Sequence, residues 1–306
     1  MTTPSLNLPR NKHRRHQRGA AMLILMLIVM LGLITLFTFR MDRKGPELNA
    51  DRQTAAALAQ AKEALLGRAA KDNDPGTLPC PDFDGDGLLT VGTGDYSGLN
   101  CASYLGWLPW GYLDTGELRD GNNGKLWYFL SLNFKDNNNN PVPSTPGTLS
   151  ILGTNPLNNL VAIIIAPGRP VPGQTQPATD ATGYAQYLES YVNSTTLNAA
   201  PQSSTYNDRF LPITWRDLFN VVTARAARSF AKELPPAYPI SGWVPNTGEW
   251  AIGNNPFTAW ANNTVTVYTA PVAAGSPATL QFPPCAAIYL IQRTGLTYQV
   301  SRNGTC

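Results

Sequence analysis

Hydrophobic and polar positions divide the chain into three regimes. The first is an unbroken apolar run at residues 20–39 (AAMLILMLIVMLGLITLFTF), with Thr35 and Thr38 as its only polar side chains. As a helix this run is about long enough to cross the ~30 Å hydrocarbon core of a bilayer. The stretch before it, residues 11–18, is basic and contains no acid, which places that end in the cytoplasm by the positive-inside rule. The second regime, residues 47–70, is rich in Ala, and Leu58, Ala61, Leu65 and Ala69 recur at three- and four-residue steps. That period predicts a helix with one apolar stripe, and Gly45-Pro46 ahead of it predicts a kink.

The third regime has no long period. Residues 125–132 and 160–166 are short apolar runs bounded by Asn, Gly and Pro and read as strands. Residues 136–156 are rich in Asn, Pro and Ser and predict an exposed connection. Residues 214–234 predict a second helix: Thr214 and Asp217 form a capping box, Leu218, Phe219, Val222 and Ala226 line one face, and Pro235-Pro236 ends it. Residues 263–270 alternate as a strand, and 286–292 with 296–300 predict a hairpin around Arg293-Thr294-Gly295. The pattern defines an α+β chain. It consists of a long N-terminal membrane-spanning helix packed on a head with an antiparallel β-sheet and one additional helix.

Charge changes this picture mainly by exclusion. Of 23 Lys and Arg, five (Arg10, Lys12, Arg14, Arg15, Arg18) precede the apolar run, which leaves 18 against 20 Asp and Glu. The rest of the chain is therefore nearly neutral and carries no nucleic-acid footprint. Both histidines, His13 and His16, also precede the run. Histidine-dependent triads and His-ligated metals are excluded from the head, and no nucleophile elbow or carboxylate pair marks an enzyme.

Four cysteines, Cys80, Cys101, Cys285 and Cys306, allow three disulfide pairings in an oxidising compartment. Local bridges Cys80–Cys101 and Cys285–Cys306 are the simplest, each closing a loop worth ~3 kcal/mol on the chain-entropy model. The absence of any CxxC pair argues against zinc.

One stretch has the composition of a metal site. In Asp82-Phe83-Asp84-Gly85-Asp86-Gly87, alternate carboxylates followed by Gly can line a loop with oxygen, the ligand that Ca²⁺ requires. Counted as an EF-hand, its twelfth position is Thr93 rather than Glu, so Asp95 is the candidate for the missing carboxylate. The competing reading is an ordinary Asp-Gly turn. Trp107, Trp110 and Trp127 offer either a sugar platform or core. No other cofactor is required.

The order of short motifs supplies a resemblance. Arg18-Gly19-Ala20 opens the apolar run. Ala64-Leu65-Leu66-Gly67-Arg68-Ala69-Ala70, Leu78-Pro79-Cys80-Pro81-Asp82, Asp84-Gly85-Asp86-Gly87 and Gly106-Trp107-Leu108-Pro109-Trp110 follow in turn. With residues 125–130, 161–168 and 206–209, this series resembles prepilin-like proteins, the minor pilins of type IV pili and the pseudopilins of type II secretion, over about residues 18–235. The resemblance implies cleavage between Gly19 and Ala20 by a prepilin peptidase, with N-methylation of the new terminus. It also implies packing against other pilins or pseudopilins through the N-terminal helix. Ile24 stands where that family carries a Glu, which is more like a minor or tip subunit than a major one.

The expected organisation is a leader at 1–19, a transmembrane helix at 20–39, an amphipathic helix at 40–71, a periplasmic α+β head at 72–235 and a disulfide-closed β-rich region at 236–306. The resemblance implies a single-pass bacterial inner-membrane protein with a periplasmic head, assembled into or at the tip of a surface or secretion filament. The alternative is an uncleaved single-pass periplasmic protein that binds calcium, a glycan or a protein outside any filament.

Overall fold

The computed structural model describes residues 17–42, 45–72, 74–90, 94–97, 100–136, 141–177, 179–233, 267–269, 276–294 and 297–306. The chain forms two compact units, Met1–Asp51 and Arg52–Cys306. Helix α1 (Gln17–Asp42) lies in the first, and α2 (Gly45–Lys71) begins there and belongs mostly to the second. Pro46 sits in the first turn of α2, where its missing N–H has no intrahelical role. The expected kink adjoins residues 43–44, which lie outside the described residues, as does Pro235-Pro236.

The membrane-spanning helix and the single-pass inner-membrane placement are corrected by the structure. Among the described residues, no helix is long and apolar enough to cross a membrane. The described apolar side chains of α1 run over 22–34, about 20 Å at 1.5 Å per residue, which is short of the ~30 Å hydrocarbon core.

In the second unit the main sheet has the order β3-β4-β6-β5-β8-β7, with β9 also on β6. Its strands are β3 (Leu105–Trp107), β4 (Trp127–Leu130), β5 (Leu149–Gly153), β6 (Leu157–Ala166), β7 (Tyr191–Asn193), β8 (Thr196–Ala199) and β9 (Arg209–Thr214). A short ladder, β1 (Tyr96–Ser97) with β2 (Asn100–Cys101), precedes it. The expected all-antiparallel sheet is also corrected: β5 and β8 run parallel, Ile151 opposite Leu197, because β6 and β7 intervene between them. A second, four-stranded sheet joins β10 (Val267–Thr269), β11 (Ala278–Gln281), β12 (Ile288–Thr294) and β13 (Thr297–Asn303), all antiparallel. The hairpin strands reach further than expected. Arg293 and Thr294 pair with Tyr298 and Thr297, which pushes the turn to 295–296.

Both head helices bury the faces their periodicity assigns. Along α2, Leu58, Ala61, Leu65 and Ala69 are buried, and along α3 (Trp215–Glu233) Leu218, Phe219, Val222 and Ala226 are. They share one core with Val161, Ala162, Ile164 and Ala166 of β6 and with Leu280, Tyr289 and Ile291 of the second sheet. The opposite face of the main sheet holds Trp107, Trp127, Phe129, Ile163, Ile165 and Tyr187. Trp107 and Trp127 are stacked there with centroids 4.9 Å apart, so neither offers a sugar platform.

The capping box at α3 is present and reciprocal. The Thr214 N–H donates to Asp217 Oδ2 at 2.8 Å, and the Asp217 N–H donates to Thr214 Oγ1 at 3.2 Å. Lys62 of α2 completes it with an ion pair to Asp217 at 2.9 Å and a bond to the Pro212 carbonyl at 3.1 Å. Burial pushes the Asp217 carboxyl up, but the donors from Lys62 and Thr214 outweigh it and hold the group below its ordinary value.

Asp217→Ala should therefore cost about 1 kcal/mol in urea unfolding at pH 7, the usual worth of an N-terminal cap. With a folded pKa below the unfolded one, the contribution is present above the ordinary carboxylate range. It is lost as pH falls through the folded value, so wild type and variant should converge in acid.

Candidate metal centre

The acidic loop is built on a fixed strand edge. Asp82 and Trp107 exchange backbone hydrogen bonds of 3.0 and 2.9 Å, so the loop leaves directly from β3. Two residues earlier, Cys80 is bonded to Cys101 at the end of β2, and Cys285 is bonded to Cys306 across the second sheet. Each bridge joins residues 21 apart in sequence.

Within the loop, Asp82 is fully buried and receives the N–H groups of Gly85 on Oδ1 (2.6 Å) and Gly87 on Oδ2 (2.7 Å). Gly87 has φ +87°, and a Cβ there would run into the Trp110 indole. Only Gly satisfies both conditions. Asp84 and Asp86 are exposed and accept from the N–H groups of Asp86 (3.2 Å) and Leu88 (2.7 Å).

Carboxylate oxygens of Asp82, Asp84 and Asp86 all lie within 4.8 Å of one another. The adjacent cation does not enter this group. Lys125 Nζ donates to the Gly85 carbonyl at 2.7 Å and lies 3.5 Å from Glu117. Burial pushes Asp82 up to about 6, the bonds from Gly87 and Gly85 pull the other way, and the charges of Asp95 and Asp84 add to the rise.

Asp95 is not in the convergent group. Its Oδ1 accepts from Phe83 N–H at 2.9 Å and its Oδ2 from Thr90 N–H at 3.1 Å, so it clamps the two ends of the loop. Thr93 lies outside the described residues. The donor set that fits a divalent cation is therefore Asp82, Asp84 and Asp86: three hard oxygen ligands, with open solvent on the side of the two exposed carboxylates. Such an ion would cancel like charges that the fold holds together without a cation between them. Its role there is to stiffen the loop.

Sequence reasoning missed a second acidic group, Asp72, Asp74 and Asp136, also within 4.8 Å. This one encloses its own cation. Arg68 pairs with Asp72 at 2.8 Å, donates to Tyr112 Oη at 2.7 Å and lies over that ring, and Tyr112 reaches Asp136 at 3.4 Å. It latches the end of α2 to the head. Asp72-x-Asp74 is visible in the sequence, but no local signal ties it to Asp136.

Also missed was Asp208, buried and pushed up to about 7 by burial, with the Glu189 charge adding to the rise and bonds from Ser190 opposing it. Its Oδ2 accepts from the Ser190 N–H at 2.9 Å and ties β9 to the start of β7. Gly19 and Ala20 lie in the first turn of α1. Comparison with known protein families, curated proteins and solved structures gave no match.

At pH 7, saturating CaCl₂ should raise the unfolding midpoint relative to EDTA, by about 2.7 kcal/mol at a hundredfold excess over Kd. Asp84→Asn/Asp86→Asn should abolish the difference. The sign with pH follows from Asp82. Its folded pKa of about 6 lies above the ordinary 3.8, so proton stabilisation is complete below about pH 4 and lost as pH rises through 6. The calcium effect should therefore grow over that interval. Equal midpoints in CaCl₂ and EDTA at pH 7 would leave the loop an ordinary Asp-Gly turn.

Proposed function

We propose that the chain is a structural subunit of a prepilin-like assembly, a minor pilin or pseudopilin processed between Gly19 and Ala20 and packed against other subunits through α1. One observation carries this reading. Every side chain from Met22 to Met30 is apolar, and exposures run from 54% for Val29 to 75% for Met22, around the full circumference of the helix. A helix apolar on all sides is a buried element. A continuous apolar surface of this kind marks an interaction site rather than a solvated face.

The reading assigns the cover to equivalent helices of neighbouring subunits. Ile24 fits it, because an apolar residue there packs anywhere along such a bundle, whereas a carboxylate would require a specific partner. The head supports the same role. It contains a rigid two-sided core, two disulfides and loops tied by carboxylates, and it has no histidine for general base chemistry. Calcium at Asp82, Asp84 and Asp86 is a stabilising accessory in this reading.

The test is the N-terminus of the mature protein, by mass spectrometry, from cells with and without the prepilin peptidase. The expected chain starts at Ala20, N-methylated, only when the peptidase is present. A chain that starts at Met1 in both strains would remove the protein from this class.

A further inference from the structure

The second sheet ends in a strand with one open side. In the order β10-β11-β12-β13, β13 pairs only with β12 among the described residues. Beside it, between α3 and the last turns of α2, lies a hollow of about 710 Å³. Val300, Ser301 and Arg302 of β13 all line it. Successive side chains of a strand point to opposite faces, so three lining residues in a row mean that the hollow meets the strand along its edge. A second hollow of about 560 Å³ shares Arg228 and Val300 and continues to Thr297, Tyr298 and Lys232. Together they form a trough beside β13 from Thr297 to Arg302, about 20 Å at ~3.4 Å per residue.

The trough is basic. Lys71, Arg225, Arg228 and Arg302 line the larger hollow against a single acid, Glu63. Lys71 and Arg228 are exposed, and neither they nor Arg302 pairs with a carboxylate among the described residues. Arg302 Nη1 donates to the Asn220 carbonyl at 3.2 Å and to its Oδ1 at 3.3 Å, which aims the guanidinium without neutralising it. Arg225 donates to the Ala70 and Asp72 carbonyls, which likewise leave its charge in place. Between these cations the floor is Tyr289, Tyr298 and Val300.

The geometry points to an acidic, extended segment of a partner protein as the occupant, added as a fifth strand on the free edge of β13 with its carboxylates set against Lys71, Arg228 and Arg302. An unpaired strand supplies alternating N–H and C=O groups that only another backbone satisfies in register. The cations are spread along the trough rather than converged on one point, which matches a chain with repeated carboxylates better than a compact anion. Every residue of the trough lies in the Arg52–Cys306 unit, so the inference stands apart from assembly through α1.

The probe is a fluorescein-labelled decapeptide of alternating Glu and Val, titrated against the full chain at low salt, with backbone exchange measured in parallel. Saturable binding is expected, weakened at least tenfold by Lys71→Glu/Arg228→Glu, with slowed amide exchange in residues 297–303. The alternating Lys and Val peptide should not bind. If the double reversal shifts the unfolding midpoint, Lys71→Gln and Arg228→Gln singly take its place, each expected to weaken binding several-fold. Failure of the acidic peptide to bind, binding indifferent to these variants, or binding that leaves 297–303 unprotected would each overturn the proposal. So would a single-stranded oligonucleotide that binds where the peptide does not, which would assign the trough to a nucleic acid.

Discussion

Burial of β6 on both faces is the constraint on which the head depends. Val161 to Ala166 are all 1% exposed or less, and the strand is flanked by β4 on one edge and by β9 and β5 on the other. Strict alternation would send every even residue to one side. Instead Leu160 faces the aromatic cluster with Ile163 and Ile165, while Val161 joins Ala162, Ile164 and Ala166 on the helix side. The switch falls where the β6–β9 register shifts, between Leu160 and Ala162. A bulge of this kind turns consecutive side chains to the same face. It gives α2 and α3 a continuous bed, and it leaves the other face free to take the tryptophans that anchor the acidic loop.

The loops are organised by a different device. Asp82, Asp95, Asp120 and Asp208 are all buried, and each accepts backbone N–H groups rather than pairing with a cation at those contacts. Asp120, for example, takes Gly124 N–H on one oxygen at 2.8 Å and Gly168 N–H on the other at 2.9 Å, which joins two connections that are distant in sequence. A chain this poor in charge and rich in Gly, Pro and Asn leaves many loop amides unsatisfied, and short buried carboxylates satisfy two at a time. Asp82 belongs to this series and is distinguished by the two exposed carboxylates beside it.

Much of this was legible wherever the signal is local. The stripe of α2, the capping box and apolar face of α3, and the strands around Phe129 and Ile164 follow from period and end signals within a few residues of each element. Features set by distant partners were not legible. The parallel pairing of β5 with β8, the engagement of Asp95 by Phe83 and Thr90, and the meeting of Asp136 with Asp72 depend on how separate segments dock. The apolar run at 20–39 was legible as a helix and as a surface needing cover. Its length alone set the expectation of a membrane span, whereas the described apolar side chains reach only from 22 to 34. Ile24 took its meaning from resemblance, and it is α1's all-round apolar surface that gives it a physical one.

The account stands on that surface being covered by other subunits, and site-directed cross-linking in cells reads this directly. All four cysteines are committed to disulfides, so Leu27→Cys places the sole free thiol in the middle of α1, and Leu88→Cys, exposed on the head, serves as the control. The account predicts that a short thiol cross-linker joins Leu27→Cys to neighbouring subunits, either copies of this chain or a distinct subunit carrying a cysteine at the matching height, and leaves Leu88→Cys monomeric. A Leu27→Cys protein that stays monomeric, when cysteines are placed at matching heights in every co-expressed subunit, would contradict assembly through α1.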